Sequence, residues 1–212
     1  MIKDNDTVII GVDKDSGNNI ATIEYNKINL VFDRYLKFVI LPSFTTSTDL
    51  NELTIFLHHS HLFVFSYLVK YNSLKLLNSC IDLVIYDRPS KNNRFTFIYL
   101  LLSTVYNTRT RIITQVNELQ SVLSLHLLFA SLNWSEREGW DIFGVFFINH
   151  TSLRRILTDY GFKGHPLRKD FPLTGFYELN YNDTKQQILY STIKLTQEFR
   201  LFSIDFFKKR WF

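Results

Sequence analysis

The chain has 212 residues, 46% hydrophobic and 21% charged, which is the balance of one folded domain with an ordinary core plus an extension. A net charge of +4 is too mildly basic for a dedicated nucleic-acid face, so nucleic acid is not expected as a partner. A single cysteine, Cys80, excludes an intrachain disulfide framework and any self-contained iron–sulfur or cysteine-based zinc site.

Taken in chain order, the first fifty residues read as short strands, TVIIGV and ATIEYNKINLVF, around the turn DKDSGNN. Pro42 and the polar run TTSTD suggest a boundary near residue 48. Residues 49–71 read as one helix with Asp49 as N-cap and Leu53, Phe56, Leu57, Leu68 and Tyr71 on its apolar face. A β-meander follows. IDLVIYD is a strand beginning beside Cys80, which reads as a small buried apolar residue. DRPSKNN is turn chemistry. RFTFIYLLLS is the next strand, with Phe95, Phe97, Tyr99 and Leu101 on one face, and TRTRIITQV is the third, with Arg109, Arg111, Ile113 and Gln115 sharing a face. Short connections make this sheet antiparallel.

SVLSLHLLFASL reads as a helix. The next segment, WSEREGWDIFGV, carries an S-x-x-E pattern in which Ser135 and Glu138 cap each other, Arg137 pairs with Asp141 four residues on, and Gly144 supplies the stop. LRRILTDYG reads as a further short helix ended by Gly161. After Gly175, YELNYND and TKQQILYS pair across a turn, and a Phe-rich tail closes the chain. No span reaches the roughly 20 apolar residues that cross a bilayer, so membrane association is expected only through a partner. MIKDNDTVII resembles neither a signal peptide nor an Arg-rich transit sequence.

Several residue sets can carry chemistry. His58 and His61, three apart on the expected helix, can share a ligand face, but no H-E-x-x-H or cysteine pair completes a zinc site. Glu136, Glu138 and Asp141 can form an acid–base set; capping and ion pairing explain Glu138 and Asp141 more simply. His150 and His165 lack a nucleophile in a G-x-S-x-G elbow, and no glycine-rich nucleotide loop occurs. Arg154, Arg155, Arg168 and Lys169 alternate with Asp159, Asp170 and Glu178. That mixed-sign set, threaded by the glycines and prolines of GFKGHPLRKDFPLTGF, suits a protein interface better than a polyanion. Phe199, Phe202, Phe206, Phe207, Trp211 and Phe212 crowd the terminus; exposed, they exceed the apolar patch a soluble monomer tolerates. Either this tail folds back or it lies on a partner.

EREGWDIFGVFFINHTSLRRILTDYGFKGHPLRKDFPLTGF closely resembles the signature of one core subunit family of respiratory complex I, the NADH–ubiquinone oxidoreductase subunit 9 or iron-sulfur protein 3 type, with its bacterial counterparts. The resemblance covers residues 67–202, with the sheet upstream and LTQEFRLF downstream. Thr151 stands where the family usually has proline after His150, and can cap the short helix. The resemblance implies an α+β fold, mainly an antiparallel sheet with helices packed on one side and an extended C-terminal arm. The expected domains are a divergent segment 1–48, a core 49–175 and an arm 176–212 that wraps partners.

The resemblance further implies a structural and assembly subunit of the peripheral arm, beside the quinone-reduction module and the large quinone-pocket subunit. This chain would hold no cofactor, with NADH, FMN, iron–sulfur clusters and ubiquinone on neighbours. Glu136, Arg137, Glu138 and Asp141 would fix a helix under the signature loop, with His150 in the same signature. Arg154, Arg155, His165, Arg168, Lys169 and Asp170 would meet neighbouring subunits, as would Phe199 and Phe202. A Phe-, Tyr-, Asn- and Ile-rich composition suggests an AT-rich gene; with no transit sequence recognised, an organelle-encoded protein is expected, and the resemblance implies a matrix-side place on the mitochondrial inner membrane. Three other readings compete: a membrane hydrogenase subunit, a stand-alone acid–base enzyme using Glu138, Asp141 and His150, and an RNA-binding module using Arg109, Arg111 and the basic tail.

Overall fold

Phe95, Phe97, Tyr99 and Leu101 alternate along one strand and all four are buried, so this strand is the spine of the sheet. The computed structural model describes residues 31–34, 45–49, 52–197 and 199–200. Five strands form the main sheet: β1 (Thr45–Asp49), β2 (Glu52–His58), β3 (Ser79–Asp87), β4 (Phe95–Ser103) and β5 (Thr108–Val116). Their spatial order is β1-β2-β5-β4-β3. Neighbours are antiparallel except β2 and β5, which run parallel. That parallel pair needs a crossover, and a helix α1 (Leu62–Tyr71) with the β3–β4 hairpin supplies it.

Register collects the core on one face. Tyr99 lies between Leu83 and Ile112, Phe97 between Ile85 and Thr114, and Ile55 continues the row from Ile112. Leu62, Phe65 and Val69 of α1 and Leu132 of a second helix, α2 (Leu132–Phe143), join the same core. Gly139 lets α2 approach β3: a Cβ there would lie 2.4 Å from Cδ1 of Ile85. Thus the sheet is mainly antiparallel, with helices on its core face. A short parallel pair, β6 (Val122–Leu123) and β7 (Phe147–Ile148), brackets α2 as a small β-α-β unit. A separate hairpin, β8 (Tyr177–Asn182) and β9 (Gln187–Thr192), follows the loop. Among the described residues no helix is long and apolar enough to cross a membrane.

Several sequence expectations are corrected. Residues 49–71 are not one helix. Leu53, Ile55 and Leu57 alternate inward as β2, His59–His61 make a 3-10 turn, and only Leu62–Tyr71 are α-helical. Period-2 burial against β5 overrode a pattern that also fits a helix. The polar TTSTD is the edge strand β1 rather than a boundary, since threonine suits a pleated edge. SVLSLHLLFASL forms β6 and turns, not a helix, so α2 starts at Leu132 and Ser135 lies inside it. The Ser135–Glu138 cap therefore does not form. LRRILTDYG is a chain of turns and bends, not a helix. Val31 and Phe32, read as the end of a strand, instead belong to a helical stretch over residues 31–34, with Phe32 buried. The strands expected over residues 7–30, and Phe202 with the rest of the terminal aromatics, lie outside the described residues.

Cys80 is buried in β3, and burial first of all pushes its thiol up to about 12. Lys75 is fully buried too. Its Nζ donates to Thr110 Oγ1 at 3.1 Å and lies 4.9 Å from the Phe32 ring centre, while burial lowers its ammonium to about 8.

Candidate interface and its buried polar scaffold

Helix α2 ends where Gly144 takes φ +74 and its N–H closes on Trp140 O at 2.9 Å. Glycine is required here twice over. The backbone is left-handed, and a Cβ would sit 2.5 Å from the His165 ring and 2.7 Å from Arg168 Nη2. Arg168 Nε donates to Phe143 O at 2.6 Å, placing a cation on the unsatisfied carbonyl end of α2. Nδ1 of His165 meets Asp141 O at 2.9 Å. Burial lowers the His165 pKa, and Arg168 and Arg155 add to that.

Asp141 organises the loop that sequence alone reads as a helix. It is fully buried; its Oδ2 accepts from the N–H groups of Ile156, Leu157 and Thr158 at 3.1, 2.8 and 3.0 Å. Its Oδ1 accepts from Thr158 Oγ1 at 2.6 Å. Burial opposes ionisation, but these donors outweigh it and hold the carboxyl below the usual range. A carboxylate that takes three successive N–H groups leaves them unavailable to helical carbonyls, which is why LRRILTDYG bends. Asp141 pairs with Arg155 at 3.4 Å rather than with Arg137, whose Nε donates to Arg154 O at 3.3 Å. Arg155 also reaches Gly164 O at 3.2 Å.

A second knot joins the loop to the sheet. Arg94 binds Asp87 through Nε at 2.7 Å and Nη2 at 2.8 Å, and also reaches Glu118 at 3.2 Å and Asp170 at 2.9 Å. Glu118 takes Arg168 at 2.6 Å, and Asp87 accepts the Lys169 N–H at 2.9 Å. The Arg94 partner holds Asp87 below the ordinary carboxylate range, and likewise Asp170. Asp87 and Arg94 escaped the sequence reading because DRPSKNNR reads only as a turn, and Glu118, two residues past β5, belongs to no local pattern. The signal was there: an Asp and an Arg flank that turn at the facing ends of two strands.

Glu136, on the buried face of α2, accepts from Leu125 N–H at 2.8 Å and from the Ser124 hydroxyl. Burial pushes its carboxyl up to about 7. His126, read as part of a helix, instead lies in the turn three residues after β6, its ring 4.6 Å from that of His150. Glu138, Arg154 and Lys169 have exposed side chains, and Asp170 is 60% exposed. The structure thus brings Asp141, Arg155, His165, Arg168 and Asp170 together, while Glu136 and His150 form a separate cluster. His58 ends β2, and His61 closes the turn after it, their rings 6.4 Å apart.

Beyond the loop lies a groove of about 850 Å³ lined by Leu157, Tyr160, Phe171, Leu173, Phe176 and Tyr190, among others. Tyr160 is 94% exposed and Leu173 79%. Tyr177, Tyr181, Ile188 and Tyr190 keep most of their surface open along the β8–β9 hairpin, and Phe199 is exposed beyond it.

The model of a family described as the respiratory-chain NADH dehydrogenase, 30 Kd subunit, matches residues 47–177. NADH-ubiquinone oxidoreductase subunit 9 of Prototheca wickerhamii is 45% identical over 155 residues, covering 73% of this chain and 81% of that one. NADH dehydrogenase [ubiquinone] iron-sulfur protein 3 of Oryza sativa subsp. japonica is 49% identical over 142 residues, 67% and 75% of the two chains. Among solved structures, a chain of the membrane-bound sulfane sulfur reductase, an archaeal respiratory membrane complex, shares the fold. It has a TM-score of 0.59 and 18% identity, over 69% of this chain and 86% of that chain. The family match spans the sheet, α2 and the loop built around Asp141 and Arg168, and on that ground the chain belongs to the respiratory-chain NADH dehydrogenase 30 kDa subunit family.

Proposed function

We propose that this chain is a core subunit of a mitochondrial NADH:ubiquinone oxidoreductase, and that it works by position rather than by chemistry of its own. Family membership supports the place in the enzyme. The observation that carries the positional role is the exposed apolar run from Tyr160 and Leu173 to Tyr177, Tyr181, Ile188 and Tyr190, beside a charged loop in which Arg155 and Arg168 are tied inward. An apolar face this size in water is what a subunit interface leaves when its neighbours are taken away.

In this reading the scaffold of Asp141, Arg94 and Arg168 fixes the loop rigidly. The loop and hairpin then present aromatic anchors to other subunits of the peripheral arm, the large quinone-pocket subunit among them. NADH, flavin, iron–sulfur clusters and ubiquinone are held by those neighbours, and the chain meets the inner membrane from the matrix side only through them. Native-gel fractionation of detergent-solubilised membranes tests this: the chain should comigrate with NADH-oxidising activity. Replacing the β8–β9 hairpin by a short Gly/Ser linker should deplete the assembled band. A fully active complex lacking this chain would overturn the proposal.

A further inference from the structure

Helix α1 reads LFVFSYLVKY, and Lys70 is its one charged residue. Its inner face, Leu62, Phe65, Ser66 and Val69, is buried. Its outer face is apolar as well. Val64, Tyr67, Leu68 and Tyr71 follow one another at the i, i+3, i+4, i+7 spacing of a single helical stripe, and each is at least 38% exposed. The Tyr67 and Tyr71 rings stand 4.8 Å apart along it, and exposed Leu74 extends it past the helix end. Lys70 does not interrupt the stripe. Its Nζ donates to Leu128 O and lies 5.3 Å from the ring centre of buried Phe129. A helix that faces water carries charge on its outer side, whereas one that is apolar all round is covered on both sides. Among the described residues the stripe stays open.

The path of the chain just upstream brings a candidate cover to this face. Phe32 is fully buried, and its ring centre lies 4.9 Å from Nζ of Lys75, which follows the end of α1 by four residues. Val31 is exposed, so the chain reaches the surface beside the end of α1. Thirty residues precede Val31 in the sequence. The stripe from Val64 to Tyr71 is about 10 Å long at the helical rise, and an extended chain spans that length with about three or four residues. The stretch directly upstream of Val31 is IATIEYNKINL. In it Ala21, Ile23 and Tyr25 alternate with Thr22, Glu24 and Asn26. An extended backbone sends the first set to one side and the second to the other. Such a segment has one side to bury and one to show to water, and the uncharged stripe of α1 lies within its reach.

We propose that residues 20–30 of this chain dock along the outer face of α1, with Ala21, Ile23 and Tyr25 turned to the stripe. The segment then holds α1 between itself and the core and replaces an apolar surface by Thr22, Glu24 and Asn26. The inference does not rest on the partner-facing loop and hairpin. It makes this face a contact within the chain and removes it from the surface offered to other subunits.

The test is photocross-linking of the full-length chain carrying Tyr67→p-benzoylphenylalanine or Tyr71→p-benzoylphenylalanine, each of which keeps an aromatic ring in place. It is run on the purified chain and in detergent-solubilised membranes, and the joined peptides are identified by mass spectrometry. The expected product has the mass of one chain, with the cross-link falling within residues 20–30. A product of dimer mass, a cross-link to another protein in its place, or no link to residues 20–30 from either position would overturn the docking. A second measurement follows Tyr67→Cys. Cys80 is buried, so the introduced thiol is the one that labels quickly. Ile23→Asp combined with Tyr25→Asp puts charge on the docking side of the segment and alters none of the described core. Maleimide labelling at position 67 should then speed up about tenfold or more. Equal rates with and without the two aspartates would also overturn the proposal.

Discussion

Arg94 holds Asp87 by two parallel hydrogen bonds, Nε to Oδ1 at 2.7 Å and Nη2 to Oδ2 at 2.8 Å, across the turn between β3 and β4. The same guanidinium reaches Asp170 in the signature loop. One side chain therefore ties the sheet's edge to the loop that faces the partners.

Removing Arg94 leaves the Asp87 carboxylate, 1% exposed, as an uncompensated buried charge. Arg94→Ala should destabilise the chain by about 3–5 kcal/mol, read from urea unfolding midpoints. The sign of the pH effect follows from Asp87. Its folded pKa is depressed, chiefly by Arg94, so the unfolded state binds more protons at acid pH. This stabilisation is complete above the unfolded value near 3.9 and is lost as pH falls through the folded value. Wild type should lose stability relative to Asp87→Asn as pH drops below about 4.

Arg168 sits on Phe143 O, pairs with Glu118 and lies 5.4 Å from the Phe95 ring centre. Arg168→Ala uncaps α2 and should cost about 1–3 kcal/mol. In the cell it should lower the amount of assembled complex while turnover per assembled complex stays unchanged. Native-gel quantitation with activity normalised to the band measures both. Normal assembly with collapsed turnover would assign Arg168 a direct catalytic part.

Lys75 offers a pH test with the opposite window. Its folded pKa of about 8 lies below the unfolded value of about 10.4, because burial disfavours the charge. The unfolded chain binds the extra proton between those values, so stability gained from Lys75 rises with pH across that window. Lys75→Met should be the more stable protein at pH 7, and its advantage should shrink by about 3 kcal/mol between pH 8 and 10.5. Paired denaturation curves at several pH values check this.

Gly144→Ala combines a left-handed backbone with a Cβ 2.5 Å from His165. It should cost roughly 2–3 kcal/mol and displace His165 and Arg168 together. Thermal unfolding measures the first effect. Protease nicking within residues 153–165 measures the second.

The β3–β4–β5 meander, the paired strands of the hairpin, the glycine stop at Gly144 and the family are legible along the chain, because each rests on local chemistry. Alternation along FTFIYLLLS has period two whatever packs on it, a left-handed cap needs glycine wherever it occurs, and the loop signature is a linear string of residues. That ELTIFLH is a strand depends on its pairing with β5. A short apolar run fits either period until a parallel neighbour claims its hydrogen bonds. Asp141 was visible as an acid, but its role depends on three N–H groups fifteen to seventeen residues away. Arg168 was legible as a loop cation, yet the helix end it caps lies 25 residues back along the chain. His126 and His150 come together only because two short strands run parallel. Charges and rings find partners through space, and no local pattern records which of several partners lies within reach.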